Sequence, residues 1–166
     1  MRIYQKLILV LSLLMLPLLF SACSHVLYPQ GSINTNKVIS VVNGQTESKL
    51  TLIAIRGSDK FFADFKQWSD FFVTQLTTEL EKRGVRTNPQ GDYTFTVSVS
   101  NLRLFWGAWA VRCIVDVHVA RIDGAWAKTY EGNNAGHNID RAIDGAIHKA
   151  VALIIGDPEF QKVLSE

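Results

Sequence analysis

The sequence predicts an α+β fold: a two-layer sandwich in which a mainly antiparallel sheet of about five to six strands carries two main helices on one face. The order is ββαβββα, followed by a short C-terminal helix. Three observations predict it. Apolar residues recur every three or four positions over 59–83 and again over 139–155. Two-residue alternation marks 93–100 and 111–119. The links between the later strands are short and rich in turn formers, which suits a meander. Because Thr94, Thr96, Ser98 and Ser100 make one side of strand 93–100 wet, both helices are expected on the other side.

The chain begins with a leader. Arg2 and Lys6 precede an apolar run, Leu7 to Leu19, which is broken by Pro17 and followed by the small pair Ser21-Ala22. A run of about a dozen residues falls short of the roughly 20 needed to span a hydrocarbon core, so a cleaved signal over 1–22 is the better reading than a retained membrane helix. Cys23 then becomes the first residue of the mature chain. Residues 23–36 read as a polar tether with a turn-rich centre at Tyr28-Pro29-Gln30-Gly31-Ser32, and 37–166 as one domain.

Within the domain, Lys37–Val42 and Lys49–Arg56 read as strands, with Asn43-Gly44 as turn chemistry after the first. Apolar residues on both faces in places suggest that these strands are covered on two sides. The long helix is expected from about Asp59 to Arg83. Phe61, Phe65, Trp68, Phe72, Leu76 and Leu80 stripe one face, with Ser58 as N-cap and Gly84 at the C-terminal stop. Asn88–Asp92 is a turn before the strand of Tyr93, Phe95, Val97 and Val99. Val111, Cys113, Val115, Val117 and Val119 form the next strand, and Asp123-Gly124 turns into Trp126–Glu131. Asn133–Asn138 reads as a polar loop. The second helix runs from about Ile139 to Ile155, with Ile139, Ile143, Ala146, Ile147, Ala150, Leu153 and Ile154 inward and Asp140, Arg141, Asp144 and Lys149 outward. Pro158 suits the first turn of the final helix, which Phe160 and Leu164 can pin to the body.

Composition narrows function. The leader holds two of the 17 Lys+Arg and none of the 15 Asp+Glu, so the mature chain has no net charge and no electrostatic reason to bind nucleic acid. Cys113 is the one thiol besides Cys23, and it lies in phase with four valines, as a buried inert thiol does. No Gly-x-Ser-x-Gly elbow, phosphate-binding glycine loop or metal-ligand spacing of His137 and His148 occurs, so no catalytic residue, cofactor or metal is assigned. Asp116 and His118 share the wet face of their strand and could in principle orient a base, which keeps an envelope hydrolase as the weakest reading.

One segment is unusual. Leu102, Leu104, Phe105, Trp106 and Trp109 crowd a link between strands, where loops are normally polar. It reads either as an exposed apolar contact or as extended strands whose tip folds back on the core. Phe105, Trp106 and Trp109, together with the sheet face of Arg112, Asp116 and His118, are the candidate partner-binding residues.

Phe20-Ser21-Ala22-Cys23 resembles the bacterial lipobox, with Phe20 in place of the usual Leu. The resemblance implies a diacylglycerol on the Cys23 thiol, cleavage before it and acylation of the new amine, and several acyl chains anchor stably where one does not. Ser24 follows, where an Asp resembles an inner-membrane retention signal, so the outer membrane with a periplasm-facing domain is expected. Leu76–Val85, Thr94–Leu102, Val111–Arg121, Lys128–Gly132 and the terminal amphipathic helix follow in the order of the YajG-like family of small bacterial lipoproteins, which the chain resembles over most of 50–164. That resemblance implies no enzyme activity and no catalytic residues. The leading expectation is an envelope lipoprotein that binds or assembles with an envelope protein. The runner-up is an auxiliary lipoprotein of a lipid or lipopolysaccharide transport machine.

Overall fold

The computed structural model describes residues 28–29 and 31–166; the leader expected over 1–22 and Cys23 lie outside the described residues. The fold is α+β, with a five-stranded sheet, a separate two-stranded ribbon and helices layered on one side of the sheet. Strands β1 (Val38–Asn43), β4 (Arg86–Thr87), β5 (Tyr93–Trp106), β6 (Val111–Arg121) and β7 (Ala127–Gly136) form the sheet in the order β4-β1-β5-β6-β7. The β5–β6–β7 meander is antiparallel as expected, whereas β1 runs parallel to both β4 and β5. Asn43-Gly44 therefore ends a strand without making a hairpin. The Gly44 N–H bonds to Val97 O at 2.8 Å as the chain leaves the sheet.

The second strand, β2 (Leu50–Arg56), pairs with β3 (Asp59–Asp64) in the ribbon. This corrects two expectations. Residues 59–64 are strand and not the first turns of a helix, and Phe61 belongs to the ribbon and not to the helical stripe. The physical reason is the turn between them: Gly57, at φ +60°, takes the first central position of a two-residue turn, which glycine occupies without steric cost. Helix α1 (Phe65–Glu81) then begins at Asp64 and not at Ser58. The Asp64 carboxylate accepts from Lys66 N and Gln67 N, and the Ser48 hydroxyl and these backbone donors hold its pKa below the ordinary value. The other end matches the expectation. Gly84 stands at φ +82°, and the Val85 N–H returns to Leu80 O at 3.1 Å.

A β-bulge explains why the alternation of strand 93–100 breaks while the strand continues to Trp106. The register passes from Val99↔Val117 to Asn101↔Asp116, leaving Ser100 as the extra residue. Phe95, Val97 and Val99 face the core before it, and Leu102 and Leu104 face the core after it. Likewise Asn133–Gly136 is the end of β7 and not a loop. Its polar, glycine-rich composition serves close packing. Helix α2 (Ile139–Gly156) lies so near that a Cβ on Gly132 would sit 2.0 Å from Ala146 O. Buried Asn134 fits beside Gly145 and donates to Arg141 O at 3.2 Å.

The core lies between the sheet and the helices. Phe72, Leu76 and Leu80 of α1 and Ile143, Ala146, Ile147, Ala150, Val151, Ile154 and Ile155 of α2 cover Phe95, Val97, Val99 and the inward residues of β6. Leu153 was expected inward but is 52% exposed, because the packed face of α2 centres on Ile147, Ala150 and Ile154 and leaves position 153 on the flank. Helix α3 (Pro158–Ser165) closes the end of the layer through Phe160 and Leu164, as expected.

Candidate functional site

Strand parity separates the three aromatic candidates at the end of the β5–β6 hairpin. Trp106 lies in phase with Leu104, on the helix side, and opposite Val111. Its ring is 5.2 Å from that of Phe61, and the Arg56 guanidinium lies 5.9 Å from its centroid. Trp106 is thus half-buried under the ribbon and leaves the exposed set. Phe105 points to the open face opposite Arg112 and is 49% exposed, and Trp109, in the Gly107–Ala110 turn, is 84% exposed. Both readings of this segment hold in part: the strands extend and Trp106 folds back, while Phe105 and Trp109 remain outside.

On the open face of the sheet, the polar candidates are tied to neighbours and not to one another. Asp116 accepts from Asn101 Nδ2 at 3.0 Å and from Arg103 at 3.1 Å, and Arg103 also lies 3.5 Å from Glu131. The Arg112 Nε donates to Asn133 Oδ1 at 2.8 Å. His118 Nδ1 and Thr129 Oγ1 are 3.2 Å apart. Asp116 and His118 therefore form no dyad; each caps a cross-strand polar ladder. The Cys113 thiol is buried, and that burial pushes its pKa up to about 12, far from nucleophilic range. Among the described residues, no group of three or more His, Cys, Asp and Glu could hold a metal ion.

Sequence reasoning missed the outer face of the ribbon. Leu52 pairs with Phe62, a bulge at Ile53 resets the phase, and Ile55 pairs with Lys60. Leu50, Leu52, Ile55 and Phe62 consequently share the face turned away from the body, and all four are exposed. Strand 49–56 is therefore covered on one side only, in contrast to the two-sided cover expected. The signal available in the sequence was Gly57-Ser58, a hairpin dipeptide between two apolar runs.

A second feature concerns the tether. The Tyr28 hydroxyl hydrogen-bonds His148 Nδ1, and its ring packs edge-on to that imidazole, 6.1 Å between centroids. Burial first, and then the Glu79 and Asp144 carboxylates, push the Tyr28 phenol up to about 12. Pro29 O accepts from Arg83 Nη2 at 2.7 Å, and Arg83 in turn pairs with buried Glu79 at 2.8 Å. Further on, the Ile33 N–H reaches Arg83 O at 3.1 Å, and Thr35 Oγ1 donates to Leu164 O at 2.5 Å. The expected tether is, over these residues, strapped to the helical layer.

No helix of the described residues is long and apolar enough to cross a membrane. Comparison of the chain with protein-family models, curated proteins and solved structures gives no match.

Proposed function

We propose that the chain is a lipid-anchored envelope lipoprotein that serves as a non-catalytic binding or assembly module in the periplasm. The observation that carries the binding role is the exposed apolar surface: the outward ribbon residues Leu50, Leu52, Ile55 and Phe62, with Phe105 and Trp109 at the β5–β6 tip. Apolar side chains gathered on one face, as on the ribbon, are costly to leave in water and mark a contact site for protein or lipid. The cross-strand pairing of Asp116 and His118 with other residues supports a non-catalytic reading.

The anchor rests on the lipobox-like Phe20–Cys23 and the resemblance to YajG-like lipoproteins, and Ser24 favours the outer membrane. The strap supports close tethering. Four residues, Ser24–Leu27, separate Cys23 from Tyr28, so five peptide steps reach about 17 Å when fully extended. An acylated Cys23 would then hold the domain against the bilayer on its Tyr28 side.

The same exposed surface favours a second reading, an auxiliary lipoprotein of a lipid or lipopolysaccharide transport machine. A photo-crosslinking residue placed at Phe62 or Trp109 in intact cells separates the two. Protein adducts are expected for the assembly module and lipid adducts for transport; absence of both would overturn the binding role. Mass spectrometry of the purified N-terminus tests the anchor, for which a fatty-acylated Cys23 is expected. An unmodified N-terminus or a retained leader would remove it.

A further inference from the structure

β7 is a terminal strand of the sheet, so among the described residues one of its edges has no strand beside it. In an antiparallel pair, alternate residues turn both N–H and C=O toward the partner, and the residues between them turn both away. Over Lys128–Asn133 these outward groups make no hydrogen bond to any other described residue. The polar side chains of the stretch engage other side chains instead: Lys128 with Glu159, Tyr130 with Asp157, and Asn133 with Arg112.

Along this edge runs an open groove of about 980 Å³ between β7 and α2. Its helical wall is Lys149, Ala152, Leu153 and Gly156, spaced i, i+3, i+4 and i+7 on one face. Pro29 closes one end, close enough that a Cβ on Gly156 would lie 3.1 Å from its ring. Leu153 is the large apolar side chain of that wall, and it stands exposed. Lys149 is exposed and, among the described residues, has no carboxylate within ion-pair distance, whereas Lys128 is already paired with Asp157 and Glu159 at 2.8 Å.

These features specify one occupant. Unpaired backbone groups in alternation recognise another extended backbone, which an acyl chain or a folded surface does not supply. A low apolar wall takes an alternate side chain, and an unpaired ammonium takes a carboxylate. We infer that the β7–α2 groove receives an extended peptide segment as an added strand, with an apolar side chain against Leu153 and an acidic one facing Lys149. The site goes beyond the anchored-module reading and needs nothing at Cys23, so either can fail without the other.

The test uses the full chain in detergent micelles and an N-acetylated, C-amidated heptapeptide, Thr-Val-Thr-Asp-Thr-Val-Thr, whose aspartate shares a face with its valines. Its lysine counterpart and two isomers N-methylated along one edge or the other complete the set. Expected results are hydrogen-exchange protection of alternate amides within Lys128–Asn133 and a preference of about tenfold for the aspartate peptide, the size of one charge-assisted contact. That preference should reverse in Lys149→Glu, both peptides should weaken in Leu153→Ser, and one N-methylated isomer alone should lose binding. Three results would overturn the inference. These are no β7 protection at about 1 mM peptide, a range that admits even weak complexes, equal binding by both isomers, or protection that rises with protein concentration without peptide, which would assign the edge to a second copy of the chain.

Discussion

The β5–β6 part of the sheet alternates apolar with polar residues, whereas the β2–β3 ribbon is apolar on both faces in places, and the two dispose of their apolar residues differently. On β5 and β6 the apolar positions lie under α1 and α2, and the polar positions face solvent. On the ribbon Leu52 and Phe62 face solvent, while Ala54, Phe61 and Ala63 turn inward. Alternation fixes which residues share a face, but cover requires a neighbouring layer, and the ribbon has one on a single side. The buried face therefore supplies stability, and the uncovered face is surface available to a partner.

The largest effect should come from breaking the covered face. Phe72→Ala removes a fully buried ring from the centre of α1 and should cost about 3–5 kcal/mol in denaturant unfolding. The Cys113 thiol offers a second readout. With its pKa pushed up to about 12 by burial, it should resist alkylation at pH 8 in the native protein and react at the rate of opening in the variant.

The next effect concerns the strap. Arg83→Met removes one of the two cationic partners of buried Glu79, leaving Lys82, and leaves Pro29 O without a donor, and should cost about 2 kcal/mol. Burial raises the Glu79 pKa, but hydrogen bonds from Lys82 and Arg83 outweigh it, so the folded value lies below the ordinary 4.5. A carboxyl depressed on folding stabilises above its unfolded pKa, and that contribution is lost as pH falls through the folded value. Acid unfolding of the native chain should therefore steepen below pH 4.5, and Glu79→Gln should flatten that limb; an unchanged acid limb would detach the pair from stability.

The smallest effect on stability should be on the ribbon. Leu52→Thr with Phe62→Thr replaces exposed side chains and should shift unfolding within about 0.5 kcal/mol. The same pair should shorten retention on a hydrophobic column and reduce crosslinks in cells. A loss of several kcal/mol instead would mean that this face is covered in the folded protein and would erase the contrast.

Much of the fold was legible because local and global signals agree. The α2 stripe apart from Leu153, the Gly84 stop and the Val111–Val119 alternation each have one physical reading, and each stands where expected. The start of α1 was misread because Phe61 and Phe65 are four apart, a helical spacing, while Gly57-Ser58 between apolar runs marked a hairpin. The Asp64-to-Gln67 capping arrangement at the true start is equally local, but the apolar stripe runs straight through it. Of the candidate site, Phe105 and Trp109 stand exposed as the surface reading expected, and Trp106 does not. Cys23 lies outside the described residues.

The sequence by itself determined the fold class, the inward faces of β6, of β5 as far as Val99 and of α2 apart from Leu153, and the burial of Cys113, because periodicity encodes which side chains share a side. Only the tertiary structure decided that β1 pairs in parallel, that Asn133–Gly136 is strand, that Trp106 lies under the ribbon while Leu52 and Phe62 do not, and that Tyr28–Pro29 straps across the helices. Each of these depends on which distant segment lies alongside, and on the closeness that Gly132 and Gly145 permit, and a chain's local pattern does not carry that information.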